Sequence, residues 1–451
     1  MALPRERNAQ AGGLAVALRE ALSRMSGLWF GWSGEISEQP ATTPTVVTSK
    51  RVTYATLDLS PAHHDAFYLG YANSTLWPLF HYRLGLIDFR RASLDGYLQV
   101  NEIFADALVP LLRPDDIIWV HDYHFIPLAA ALRKRGVRNR IGFFLHIPFP
   151  APEVLTALPG HDTLVRVLFD YDLVGFQTES DRVAFNRYIL DEFDGKIDED
   201  GTASAGNQST LARAFPIGID TQEFERLALK AANGSEIARL RDSLTGRNLI
   251  IGVDRLDYSK GLPKRFEAYQ EFLGRYPDYR RKVTFMQIAP ISRGGLAQYR
   301  SLRRELEGMA GRINGKYAEF DWMPMRYLNK ALPRTTLVAL FRAARIGMVT
   351  PIRDGMNLVA KEFVAAQNPD DPGALILSRF AGAAHELDGA LLINPFDTER
   401  VTEVIDEALK MPIGERRERW QRMIAVLRAN TVDDWRNSFL TVLGEQQQQA
   451  A

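Results

Sequence analysis

Arg255 and Lys260 stand five residues apart in the stretch LIIGVDRLDYSKGLPKR, residues 249–265, just where an apolar run gives way to charged and small residues. Residues 249–253 form a short buried strand, and a helical pattern begins after Pro263. In an open parallel sheet, ligands bind beyond the carboxyl ends of the strands, so both cations leave the strand where an anion would sit. Arginine supplies a planar fork of donors and lysine a compact point charge, a pairing suited to a diphosphate gaining negative charge. The plainer alternative is a solvated ion-pair loop.

A second set lies in TPIRDGMNLVAKEFVAAQ. Asp354-Gly355 opens a helix whose free N–H groups add to an anion site. Glu362, eight residues on, stands two helical turns up the same general face, within reach of a ribose diol. The first half of the chain offers Asp122 in the cluster HDYH, His146 before an Ile-Pro turn, and the pair Gly12-Gly13 opening a helix. Asp122 suits a base, an acceptor for a sugar hydroxyl, or a helix N-cap. His146 is equally a candidate ligand contact and a satisfied buried histidine.

Other chemistries fare worse. His63-His64 and HDYH invite a metal, but neighbouring side chains in a strand face opposite ways, and no HExxH pattern or carboxylate run supports one. The expectation is therefore no metal and no cofactor. A GxxxxGK[ST] phosphate loop is absent. The chain has no cysteine, which excludes disulfides and thiolate chemistry. Fifty-five basic residues balance 55 acidic ones, which argues against general nucleic-acid or membrane binding. No signal-peptide pattern or membrane-length apolar run is present, and a cytoplasmic enzyme is expected.

Positioning these residues requires sheets. With 451 residues, 46% apolar and 24% charged, the chain is a globular protein of more than one domain. A hairpin-like region with strands at 29–35, 46–47 and 51–59 leads into an aromatic-rich stretch holding Tyr68, Tyr71, Trp77, Phe80, His81 and Tyr82. By default those rings are core. Helix 98–112, strand 117–120, helix 128–135 and strand 141–145 then set a parallel-sheet rhythm. Strands at 173–176 and 214–217 follow, with 194–208 as a solvated loop. A charged helical segment at 221–245 marks the boundary. A second unit has strands at 249–253, 283–288, 346–349, 375–377 and 391–394, with a loop at 292–294 and helix 297–309. The expected domains are residues 1–230, 231–430, and a C-terminal segment 431–451 with a disordered Gln-rich end.

The motifs GGLAVAL, LWFGWSGE, WPLFHYR, DGYLQVN, WVHDYH, RIGFFLHIPFP, DRLDYSKGLPKR, QIAPISRG, GRINGKY, TPIRDGMNLVAKEFVAAQ and SRFAGAA, in unbroken order from Gly12 to Trp435, closely resemble the trehalose-6-phosphate synthase family of retaining glycosyltransferases. The resemblance implies an α/β fold of two Rossmann-like, doubly wound domains facing across a cleft, the glycosyltransferase B arrangement. It implies transfer of glucose from UDP-glucose, or a related nucleotide sugar, to glucose 6-phosphate, giving trehalose 6-phosphate without a metal. Arg255 and Lys260 then match the pair on the donor diphosphate, Gly13 the turn against the donor, and Asp354 and His146 the residues at the donor sugar. Leu358 and Val359 match the backbone donors, and Glu362 the ribose contact. Tyr68, Trp77, Asp122 and Arg293 match the residues binding glucose 6-phosphate.

One departure stands out. Family members open with a strand ending in Ser-Asn-Arg ahead of the Gly turn, whereas here Arg5 and Arg7 both come after Pro4 and follow no apolar strand. The expectation is a start assigned too late, a missing first strand and two uncovered sheet edges. Related transferases with a glucosylglycerol-phosphate or validoxylamine-phosphate type of acceptor, and a non-catalytic sugar-phosphate sensor, are the alternatives. Family analogy further implies a homo-oligomer, and a separate phosphatase for dephosphorylation.

Overall fold

The structure, a computed structural model, describes residues 26–445 except Lys50 and Asn233. Gly13, the Gly turn and the Gln-rich end lie outside the described residues. The chain forms two compact units, residues 1–217 with 432–451, and residues 218–431.

The second unit is built on a six-stranded sheet in which every pairing is parallel. Its order is Met325–Leu328, Val283–Ile288, Asn248–Val253, Ile346–Val349, Ala374–Ser378, Leu391–Ile393. Numbered along the chain, that is 3-2-1-4-5-6, the doubly wound order. The inner strands read as unbroken apolar runs because helices cover both faces: Ile250, Ile251, Phe285, Ile346, Met348 and Ile376 are all buried. Strand order reverses between Asn248–Val253 and Ile346–Val349, which pair directly. The loops after these two strands carry Arg255 with Lys260, and Asp354. Met325–Leu328 was not expected as a strand. It lies at the sheet edge and buries only Met325, so it shows no apolar run.

The first unit holds a second six-stranded sheet, ordered Ile118–His121, Ile141–Phe144, Leu173–Phe176, Gln208–Ala214, Thr202–Ala205, Lys196–Ile197. The first four strands are parallel and the last two antiparallel. The segment expected as a solvated loop at 194–208 therefore contains two short edge strands, and the strand expected at 214–217 ends at Ala214. The hint was Ala203 and Ala205, whose small side chains alternate inward from a polar sequence. A separate three-stranded sheet, ordered Gly27–Ile36, Val52–Leu59, Thr45–Ser49, joins an antiparallel hairpin to a parallel first strand. Among the described residues, Gly27–Ile36 and Ile118–His121 each have a strand neighbour on one side only.

The division of the chain differs from the expected boundaries at 230 and 431. The charged helix Thr221–Ala231 buries Phe224 and Ala228 and packs on Arg334–Ala343 and Leu358–Ala366, so it belongs to the second unit. The last helix, Val432–Glu445, belongs to the first. Its Phe439 ring fills the space over Gly142 and Gly175, where an added Cβ would meet it at 2.7 and 2.8 Å.

Candidate active site

In the second unit, the loop after Asn248–Val253 is fixed from beneath. Arg265, fully buried, donates from Nη1 to Asp254 Oδ2 at 2.5 Å and to Gln287 Oε1 at 2.8 Å, and from Nε to Thr350 Oγ1 at 2.9 Å. Burial pushes the Asp254 carboxyl upward, while Arg265 and Lys260 oppose that rise. Asp254, Arg265, Gln287 and Thr350 thus join three adjacent strand ends, and nothing in the spacing of the sequence announced them.

The two loops at the strand reversal also touch. Ile352 N–H donates to Ser259 carbonyl at 2.8 Å. Gly261 has φ +66°, and a Cβ there would stand 2.3 Å from Thr350 carbonyl, so glycine is required on both counts. This brings Lys260 Nζ to 2.5 Å from Asp354 Oδ2, both side chains being 12% exposed. Asn357 Nδ2 donates to the same oxygen at 2.9 Å, and Gly355 N–H to Oδ1 at 3.1 Å. Arg255 is exposed on the same loop.

Leu358 and Val359 are the first residues of the helix Leu358–Ala366, where backbone N–H groups have no helical acceptor. Asn357 caps it, its Oδ1 accepting from Ala360 N–H at 3.3 Å. Because the helix starts at Leu358, Glu362 lies one turn in, on the face of Leu358. The expected two turns from Asp354 do not exist. Behind this face, Lys361, fully buried, pairs with Glu386 at 2.6 Å and holds the helix to the turn Gly382–His385. Arg293 leaves the neighbouring strand Val283–Ile288 with φ +50° and ion-pairs with Asp257 at 3.0 Å.

In the first unit, His146 and Asp122 follow adjacent parallel strands and meet: His146 N–H donates to Asp122 Oδ1 at 3.3 Å. Asp122 sits at φ +73° and makes no side-chain cap bond, so the N-cap alternative does not hold. His146 Nε2 lies 3.1 Å from His121 Nδ1, and its Nδ1 lies 3.4 Å from Gln177 Nε2. Burial holds both imidazoles neutral, taking His121 down to about 3 and His146 well below its usual value. His121, which ends the strand Ile118–His121, was weighed in the sequence only within the HDYH cluster as a metal candidate.

Tyr68 belongs to the π-helical segment His64–Leu76 and stacks on His124 with ring centres 5.7 Å apart. Trp77 is 4% exposed against His81 and Tyr123. His124 and Tyr123 follow Asp122 directly, so Tyr68, Trp77, Asp122 and His146 gather at one pair of strand ends. Trp77 there is a core residue, as its ring chemistry alone suggested. Among the described residues no group of three or more His, Asp or Glu is placed to hold a metal ion. No helix among them is long and apolar enough to cross a membrane.

Known proteins resemble this chain along nearly its whole length. A trehalose-6-phosphate synthase of Cronobacter sakazakii is 48% identical over 440 residues, covering 98% of this chain and 92% of the relative. One from Sodalis glossinidius is 49% identical over 431 residues, covering 95% and 91%. Among solved structures, a UDP-forming α,α-trehalose-phosphate synthase of Burkholderia xenovorans in complex with glucose 6-phosphate superposes with a TM-score of 0.95 at 50% identity, covering 97% of each chain. The E. coli protein bound with UDP-2-fluoro glucose gives 0.92 at 47%, covering 97% of this chain and 96% of that one. The profile described as Glycosyltransferase family 20 matches residues 3–445. With a doubly wound second unit, cations at its strand reversal and near-full-length relatives of one kind, the chain belongs to glycosyltransferase family 20.

Proposed function

We propose that this enzyme transfers glucose from UDP-glucose to glucose 6-phosphate with retention, releasing UDP and trehalose 6-phosphate. The observation that carries the reading is the meeting of Lys260, Asp354 and the open helix start at Leu358 where the strand order reverses. It stands in a chain whose near-full-length relatives are trehalose-6-phosphate synthases.

The bond from the donor's anomeric carbon to the β-phosphate oxygen breaks, and its electron pair leaves with the diphosphate. The acceptor hydroxyl oxygen bonds to the same carbon from the same face, and its proton passes to the departing phosphate oxygen. Arg255 and Lys260 meet the charge that grows on that phosphate, joined by the N–H groups of Leu358 and Val359. Glu362 takes the ribose, while Asp354 and His146 receive the donor sugar's hydroxyls. Burial supports a His146 that orients as a neutral dipole rather than as a cation. Tyr68, Asp122 and Arg293 bind the acceptor, and Trp77 shapes the wall from within the core. In this reading two side-chain cations do the work a metal does elsewhere, and no cofactor is needed. Removal of the product's phosphate falls to a separate phosphatase, in the cytoplasm.

UDP release from UDP-glucose, measured with and without glucose 6-phosphate, tests the reading. Acceptor-dependent release supports it. Binding of both compounds without turnover would make the chain a sensor, and faster turnover with another phosphorylated acceptor would change the substrate.

A further inference from the structure

Asp257 lies between Arg255 and Lys260 and is fully buried, yet neither of its oxygens serves the donor contacts described above. Oδ1 accepts from Ser259 N–H at 3.0 Å and so shapes the short turn Tyr258–Lys260 that delivers Lys260. Oδ2 accepts from Arg293 Nη1 at 3.0 Å and from the Tyr299 hydroxyl at 3.2 Å. Tyr299 closes the triangle, because its oxygen accepts from the same Arg293 nitrogen at 2.7 Å. Tyr299 is 1% exposed on the helix Ala297–Tyr317 and packs against Tyr258 at 5.3 Å between ring centres. The two loops are also stitched along their backbones: Leu256 N–H donates to Pro290 carbonyl, and Ser292 Oγ to Leu256 carbonyl, both at 2.9 Å.

One carboxylate therefore divides its two oxygens between the turn carrying Lys260 and the side chain of Arg293. Arg293 is a long side chain with several rotatable bonds, and holding it against a buried carboxylate and a rigid phenol removes that freedom before a ligand arrives. Its side chain is only 6% exposed, so the partners decide which edge of the guanidinium faces outward.

We propose that Tyr299 and Asp257 are positioning residues. Tyr299 sets Arg293 for the acceptor's phosphate, and Asp257 ties that arginine to the donor-diphosphate loop, so that the two phosphate sites are built as one unit. This rests on the acceptor role given to Arg293 above.

Tyr299→Phe keeps the ring and removes only the hydroxyl. It is expected to raise KM for glucose 6-phosphate roughly ten- to a hundredfold, the range for losing a hydrogen bond to a charged group. KM for UDP-glucose and the melting temperature stay essentially unchanged. Asp257→Ala, which removes both oxygens, raises both KM values. Arg293→Ala is the control. If it raises the acceptor KM while Tyr299→Phe does not, the positioning role fails and the acceptor reading of Arg293 stands. If Arg293→Ala itself leaves the acceptor KM unchanged, the acceptor reading fails. Equal rises in both KM values for Tyr299→Phe with a lowered melting temperature mean a merely structural tyrosine and overturn the proposal. So does an unchanged donor KM in a folded Asp257→Ala.

Discussion

Lys260 Nζ lies 2.5 Å from Asp354 Oδ2, although 94 residues separate them in the chain. The pair spans the two loops at the strand reversal, and each partner limits where the other can go. Lys260→Ala is expected to lower kcat by about a hundredfold, the usual effect of removing one preorganised donor to developing charge. Circular dichroism should show an unchanged fold. Near-normal turnover at saturating donor would remove Lys260 from the chemistry.

Asn357 holds Asp354 and caps the helix Leu358–Ala366 from a left-handed backbone, φ +73°. Replacement by glycine keeps that backbone and loses the cap; replacement by alanine loses both. Asn357→Ala is expected to cost about 1 kcal/mol more stability than Asn357→Gly, from the left-handed strain alone. Both variants lose turnover through Asp354. Urea unfolding of the pair, with kcat measured alongside, checks this ordering.

Acid should weaken the first unit through His121. Its folded pKa is depressed to about 3, so below its ordinary value the unfolded chain binds a proton that the folded one refuses. Stability is therefore present above pH ~6.5 and is lost as pH falls toward 3. Between pH ~7 and ~5 the loss from this residue is up to about 2 kcal/mol. In His121→Phe that part of the slope should vanish in urea titrations; an unchanged slope would place the proton elsewhere.

Trp435 packs against Trp119 at 4.8 Å, Phe144 at 5.1 Å and His146 at 6.0 Å between ring centres. Trp435→Ala is expected to destabilise the first unit by about 3–5 kcal/mol, the range for emptying a buried aromatic site. His146 would lose part of its support, so turnover should fall before the fold does. A melting curve with an activity assay on the same samples separates the two effects.

The parts of this fold that were legible in sequence are those with a one-dimensional signal. The strand–loop–helix at 249–265 announced itself by a run of apolar residues ending in charge. What stayed hidden depends on distance in space. Nothing local says that Asp257 faces Arg293, 36 residues on, or that Arg265 reaches back to Asp254 and across to Thr350. The His64–Leu76 segment has almost no helical amphipathicity because its turns are wide and its buried residues, which include Ala72, Asn73, Thr75 and Leu76 beside Phe67 and Tyr71, are not confined to one apolar stripe. Thr202–Ala205 was hidden by its small polar residues, and Met325–Leu328 by its edge position. The helix Val432–Glu445 read as an appendage because sequence order suggested a terminus, while its aromatic face belongs to strands some 290 residues earlier.

That last arrangement has a consequence for how the protein is born. The second unit is complete in sequence once Thr431 has been made, but the first still lacks the helix that covers Gly142 and Gly175. At a synthesis rate of about 5–20 residues per second, the underside of the first sheet waits some tens of seconds for Phe439 and Trp435. During translation the first unit to be started is thus the last to be finished, and its uncovered apolar face is the surface a nascent-chain chaperone would meet.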